Sequence, residues 1–179
     1  MTPPASDCTP AASGRELPAG EAAYSIRALR PDDADREAQF IAGLSERTRY
    51  ERTLGLRRPP PRQRIQELVQ VDGHERMAFV ATSTECGEER FLGISRYVCG
   101  TEGAAEFAVV VTDAWQGRGL GSALMRTLIE HARSQGITRL YGDILASNTR
   151  MLALARRLGM LPRFSGGAAG TYRATLALG

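Results

Sequence analysis

The stretch that decides the reading is Val109-Val110-Val111-Thr112-Asp113-Ala114-Trp115-Gln116-Gly117-Arg118-Gly119-Leu120-Gly121-Ser122, a β-branched run that breaks at a glycine-rich turn and becomes a helix. Glycines at 117, 119 and 121 let backbone N–H groups turn toward one point, and a helix opening there sets its positive dipole end on the same point. Such a nest suits a diphosphate. Upstream, Glu106-Phe107-Ala108-Val109-Val110-Val111 reads as a strand. Downstream, Leu120, Leu124, Leu128 and Ala132 make an apolar stripe at helical spacing, with Arg126, Glu130 and Arg133 on the wet side.

Two familiar nucleotide fingerprints fail on this loop. A Rossmann turn needs G-x-G-x-x-G, and no glycine follows Ser122 at that spacing; a Walker loop needs Lys before Ser or Thr, and none is present. The plain alternative is a glycine-rich helix start with no ligand. Against it stands the chain entropy that several glycines in one turn cost while packing nothing.

Composition bounds the rest of the reading. A chain of 179 residues holds one domain with a real core plus a tail, and a hydrophobic share of 42% is ordinary for a soluble globular protein. No apolar run approaches the ~20 residues of a spanning helix, and the N-terminus lacks a basic region followed by an apolar one. A cytoplasmic location with no membrane partner is expected. Cys8, Cys86 and Cys99 show no paired spacing, so free thiols are expected, without a disulfide framework or a metal site. All 23 Lys+Arg residues are Arg, as codon bias in a GC-rich genome produces, so the chain carries no side-chain amine of its own to acylate. A net charge of +3 attracts an anionic ligand but is too small to argue for nucleic acid. Nothing resembles a helix-turn-helix or an aromatic nucleic-acid platform, so no nucleic-acid partner is expected.

Residues 1–20, rich in Pro, Ala, Ser and Gly, read as a flexible N-terminal tail, leaving 21–179 as the domain. Tyr24 to Leu29 reads as a strand, Pro31 to about Leu44 as a helix with Asp32 and Asp33 at its positive end, and Ser45 as the cap of a second helix through Leu54. Arg57-Arg58-Pro59-Pro60-Pro61 stops that helix, and a third runs from about Arg62 to Gln70 on Ile65, Leu68 and Val69. Strands follow at Met77 to Thr84, Phe91 to Val98 and Ala104 to Val111, then the loop and its long helix. A strand at Leu140 to Leu145, a helix at Asn148 to Leu158 ending at Gly159, and a strand at Tyr172 to Leu178 complete the chain. The order predicts an α/β (α+β) fold with a mixed, mainly antiparallel sheet of six to seven strands and helices on both faces.

With its flanks, Gln116-Gly117-Arg118-Gly119-Leu120-Gly121 resembles the Q/R-x-x-G-x-G/A signature of the GNAT N-acetyltransferases. Gly142-Asp143-Ile144-Leu145 followed by Asn148 and, eleven residues on, Gly159-Met160 resembles their second signature. Ile26-Arg27-Ala28-Leu29-Arg30-Pro31-Asp32-Asp33 and Leu44-Ser45-Glu46-Arg47-Thr48-Arg49-Tyr50 are similar to the GNAT portion of bacterial Pat-type protein lysine acetyltransferases. The resemblance implies a single GNAT-like domain with a V-shaped splay between the fourth and fifth strands, and acetyl-CoA as donor in that splay.

In this reading backbone groups of Val109, Val110 and Val111 pair with the pantetheine arm like an added strand, and Gly142 leaves the arm room. Gln116, Gly117, Arg118, Gly119, Leu120, Gly121 and Ser122 receive the pyrophosphate, and Asn148 bonds the arm from the far wall; Arg118 is the leading arginine for the phosphates, while Arg150, Arg156 and Arg157 either join it or form a solvated helix face. Glu106 is the catalytic base, its pKa expected to rise among Phe107, Ala108 and Val109; a strand-end carboxylate paired with Arg96 is the structural alternative. The Val109 N–H is the oxyanion donor. Many relatives place a Tyr where this chain has Ala155, so the thiolate leaves without that acid; Tyr141 and Tyr172 are spare candidates whose ordinary role is packing.

The expected function is therefore transfer of an acetyl group to a primary amine, of a protein lysine or of a small molecule, by direct attack through a tetrahedral intermediate. A non-catalytic acyl-CoA binding or sensing module and an unrelated phosphate-binding module are the competing readings. The arginines from Arg47 to Arg64 favour acidic acceptors or form a solvated face with Glu46 and Glu51. Pairing of two copies through terminal strands is the oligomer to expect from the resemblance.

Overall fold

The computed structural model describes residues 24–54, 60–85, 87–166 and 170–179. They form strands β1 Ser25–Ala28, β2 Arg76–Glu85, β3 Glu88–Cys99, β4 Ala104–Val111, β5 Arg139–Leu145, β6 Leu161–Gly166 and β7 Thr171–Ala177. The helices are α1 Ala34–Gly43, α2 Glu46–Arg52, α3 Arg62–Leu68, α4 Leu120–Ser134 and α5 Thr149–Arg157. The strands make one sheet in the order β1-β2-β3-β4-β5-β7-β6. Every neighbouring pair is antiparallel except β4 and β5, which run parallel.

Alternation along β2 shows how both faces are covered. Met77, Phe79 and Ala81 turn to α4, while Ala78 and Val80 turn to a cluster with Phe40 of α1 and with Val69. The predicted stripe of α4 is buried at Leu120, Leu124, Leu128 and Ala132, widened by Met125 and Ile129. Arg126, Glu130 and Arg133 are exposed, as the helical spacing requires. α5 adds Leu152, Leu154 and Ala155 to the same side as α4.

Three local readings change. Pro31–Asp33 is a 3-10 turn ahead of α1, not its first turn. Asp33 is captured from outside the helix, by Arg27 at 2.7 Å and by the Arg30 backbone N–H at 2.9 Å. The second helix stops at Arg52, and Leu54 takes a positive φ of 52° beyond it. Leu161 to Gly166, between the predicted helix and the predicted last strand, is the strand β6 paired to β7. Pro162 hides it from a pattern search, and its place on the outer strand of the sheet is where a residue without an N–H is tolerated. The expected tail 1–20, the arginines 57 and 58, and Cys8 and Cys86 lie outside the described residues; Cys99 is a free thiol. No helix among the described residues is long and apolar enough to cross a membrane.

The feature that positions the site is a divergence. β4 pairs with β5 at Ala104, Ala105 and Glu106 only, then stays with β3 to Val111 while β5 follows β7 to Leu145. At the fork the buried Phe107 ring fills the space a side chain at position 142 would need: a β-carbon on Gly142 would lie 2.9 Å from the ring and 3.0 Å from the Phe107 carbonyl oxygen. The expectation that Gly142 clears a path for a ligand is corrected accordingly; its bareness is used by Phe107.

Candidate active site

The fork opens into a cleft of about 390 Å³. Its base is β4 from Glu106 to Val111, and its walls are the glycine loop with the start of α4, and Ile144, Asn148, Met151 and Leu154 from β5 and α5. Thr48, Glu51 and Arg52 of α2 overhang it. Backbone direction along β4 follows from its flanking bonds. Thr112 N–H donates to Leu92 O at 2.8 Å and Gly100 N–H to Ala104 O at 2.8 Å, so even-numbered residues turn their backbone groups to β3. Gly103 O accepts from Thr138 N–H at 2.9 Å, so odd-numbered ones turn toward β5. Beyond Glu106, where β5 has left, the backbone groups of Phe107, Val109 and Val111 therefore face the cleft.

The glycine loop is built by two left-handed positions. Gly117 and Gly119 have φ of 79° and 86°, which side chains strain to adopt. Gly119 caps α4, and the first helical bond runs from Ala123 N–H to Gly119 O at 3.1 Å. The N–H groups of Leu120, Gly121 and Ser122 thus stand without intrahelical partners at the positive end of a 15-residue helix. The Leu120 side chain is buried in the core, so only its backbone is open at the loop. Gly121 is helical; a β-carbon there would come within 3.3 Å of Leu154 Cδ2, so this glycine lets α5 approach α4.

Gln116 is a brace. Its Nε2 donates to Val111 O at 3.1 Å and to Thr48 Oγ1 at 3.2 Å, while its Oε1 accepts from Arg150 Nη1 at 2.8 Å. One side chain thereby ties β4, α2 and α5 around the loop. Asp113, which the sequence did not single out, anchors α2 beside it. It accepts from Ser45 N–H at 3.1 Å, Ser45 Oγ at 2.8 Å and Thr48 Oγ1 at 2.9 Å. Partial burial pushes its pKa up, but these bonds outweigh that and hold the carboxyl below its ordinary range.

Glu106 lines the other end of the cleft with Asp143, Glu51 and Arg52. It is solvent-exposed, so the expected apolar surroundings are absent: Phe107 and Val109 point to the α4 side, and only the small Ala108 and Val110 share its face. The alternative pairing with Arg96 does not form either, since Arg96 is bound to the buried Glu37. Arg52 and Arg173 lie within electrostatic reach of Glu106. Loss of water, and then Arg96 beside it, lower the Arg52 pKa to about 10, which leaves it a cation at neutral pH.

Of the residues singled out from sequence, Glu106, Val109, Val110, Val111, Gln116, Gly117, Gly119, Gly121, Ser122 and Asn148 come together around this cleft. Arg118 does not line it; its guanidinium lies 5.6 Å from the Trp115 ring centroid. Asn148 Oδ1 accepts from Met151 N–H at 3.0 Å, capping α5. Arg157 lines the cleft, Arg156 is exposed outside it, and Ala155 is fully buried. Tyr172 packs edge-on to Phe164 at 5.6 Å, and no Tyr, His or Cys is among the described residues lining the cleft. Of the described arginines of the 47–64 segment, Arg47 pairs with Glu51, Arg62 with Asp35 and Arg64 with Glu67, as on a solvated face, whereas Arg52 lines the cleft.

The profile of the acetyltransferase (GNAT) family matches residues 43–160. The chain is 43% identical over 137 residues to the acetyltransferase PA5475 of Pseudomonas aeruginosa, an overlap covering 76% of this chain and 74% of that protein. It is 32% identical over 138 residues to the acetyltransferase Pat of Mycolicibacterium smegmatis, covering 76% of this chain and 40% of the relative, so it spans two-fifths of that protein's length. The fold superimposes on the GNAT domain of S. lividans PAT with a TM-score of 0.76 at 27% identity, covering 87% of this chain and 91% of the other.

Proposed function

Because the chain belongs to the acetyltransferase (GNAT) family and is an N-acetyltransferase, we propose that it transfers an acetyl group from acetyl-CoA to a primary amine presented beside Glu106. The observation that carries this reading is the fork: β4 loses β5 after Glu106, and its inward backbone groups lead straight to the free N–H groups of Leu120, Gly121 and Ser122. An extended amide chain ending in a diphosphate matches that sequence of donors and acceptors.

Residue roles follow from position. The nest at Gly117 to Ser122 takes the diphosphate, and Gln116 holds the loop to α2 and α5. The Val109 N–H donates to the carbonyl oxygen as it gains charge. Glu106, open to water, accepts a proton from the incoming ammonium directly or through a water molecule. The amine nitrogen bonds to the carbonyl carbon, the C–S bond breaks, and the electron pair leaves on sulfur, while the second proton of the nitrogen passes through water to the thiolate; a thiol of ordinary pKa ~8.5 departs tolerably without a side-chain acid. The acceptor is a primary amine of a protein lysine or of a small molecule.

A non-catalytic acyl-CoA module is not favoured, since relatives covering most of the chain are acetyltransferases. The test is thiol release from acetyl-CoA with a panel of free amines and lysine peptides. Because this chain has no lysine, release without added amine is expected to be slight. Amine-dependent release supports the proposal; saturable binding of acetyl-CoA with no release for any amine overturns it.

A further inference from the structure

The sheet register aligns Val98, Glu106, Tyr141, Thr175 and Leu161 in one row across β3, β4, β5, β7 and β6. On this face, next to Glu106, lies a second cavity of about 330 Å³ lined by Thr101, Ala104, Arg139, Tyr141, Arg173 and Thr175. It holds two guanidinium groups, three hydroxyl side chains and no carboxylate. Arg173 is fixed in place by Asp143, at 2.9 Å and 2.7 Å, and by stacking 5.3 Å from the Tyr141 ring centroid. Arg139 is exposed, and among the described residues its side chain has no hydrogen-bonding or ion-pair partner. Its fork of donors is free to meet an anion.

Side by side, the two cavities leave opposite charges open. At the Glu106 end of the cleft Asp143 is bound to Arg173 and Glu51 to Arg47, with Arg52 beside them, so Glu106 is the carboxylate left to meet a cation. In the cup Asp143 already compensates Arg173, so Arg139 is the cation left to meet an anion, with hydroxyl donors around it. Tyr141 joins the two cavities, being the register partner of Glu106 and a wall of the cup. We propose that the cup is the second recognition point for the acceptor and takes a carboxylate carried on the same molecule as the reacting amine. The acceptor is thus an amine with an acidic group near it, either a free amino acid or a peptide lysine beside an acidic side chain. A diamine or a lysine in a basic segment is disfavoured, because its second cation would face Arg139.

This inference rests on the proposed transfer to an amine. Acceptors are compared in matched pairs: free amino acids against their amides, and lysine peptides with an acidic neighbour against the same peptides with a neutral one. The acidic member is expected to have a kcat/KM about ten-fold higher, expressed in KM, and Arg139→Gln is expected to erase that preference. A preference confined to free amino acids names the substrate's own carboxylate as the anion, and one confined to peptides names the neighbouring side chain. Equal kcat/KM within pairs, or a preference that survives Arg139→Gln, overturns the proposal. Calorimetric binding of an N-acetyl amino acid, expected to be lost in Arg139→Gln, reads the cup without turnover. Absence of transfer to every amine would defeat the proposed function, while absence of this binding would defeat the cup.

Discussion

Arg150 donates from Nη1 to Gln116 Oε1 at 2.8 Å, joining the start of α5 to the loop that opens α4. The same Gln116 side chain reaches Thr48 on α2 and the Val111 carbonyl on β4, so three walls of the cleft converge on one amide. Gln116→Ala is expected to loosen the loop and raise the Kd for acetyl-CoA about ten-fold, with little change in thermal stability. Calorimetry measures it; an unchanged Kd would show that the brace is dispensable for donor binding.

Asp113 gives a pH-dependent counterpart. Its pKa is held below the ordinary carboxylate range, so the stability it contributes is complete above pH ~4 and is lost as pH falls through the lower value it has in the folded chain. Asp113→Ala is expected to cost about 1 kcal/mol at neutral pH by freeing the cap of α2. The gap between wild type and variant in denaturant unfolding should narrow in the acid window below pH ~4. A gap that stays constant there would contradict the bonding scheme.

At the fork, Gly142→Ala forces a β-carbon to within 2.9 Å of the Phe107 ring and 3.0 Å of backbone oxygen. The backbone contact cannot be relieved by a rotamer change, and a loss of roughly 1–3 kcal/mol is expected, seen as a Tm lower by several degrees. Pairing the change with Phe107→Leu should give a combined loss smaller than the sum, because the two side chains compete for one space. Strict additivity would place the cost elsewhere.

Glu106→Gln keeps the shape of the strand but removes the proton acceptor. A fall of about a hundred-fold or more in kcat with acetyl-CoA affinity retained is expected. Turnover within a factor of two of wild type would remove Glu106 from its assigned role.

Much of this was legible in the sequence because period and punctuation agree. The Val109 run, the glycines and the Leu120 stripe each demand one conformation, and they abut in that order. What escaped has a physical reason. β6 was hidden by Pro162, which only the edge position makes acceptable. Asp113 and Thr48 lie 65 residues apart and acquire meaning only when α2 docks on the loop. Gly121 reads from sequence as part of the turn and Gly142 as room for a ligand, whereas the structure sets Leu154 of α5 against the first and Phe107 of β4 against the second. The exposure of Glu106 was equally invisible, because strand alternation states which residues share a face but not what covers it.

In the proposed reaction the donor lies in the fork between β4 and β5 with its diphosphate on the start of α4. Titration of isotopically labelled protein with acetyl-CoA, followed by backbone amide shifts, tests it most directly. The amides of Val109, Val111, Gly119, Leu120, Gly121 and Ser122 are expected to shift together at one saturating Kd, while those around Arg139 stay in place. Shifts confined to the Arg139 cup, or none at the Gly119 to Ser122 amides, would contradict it.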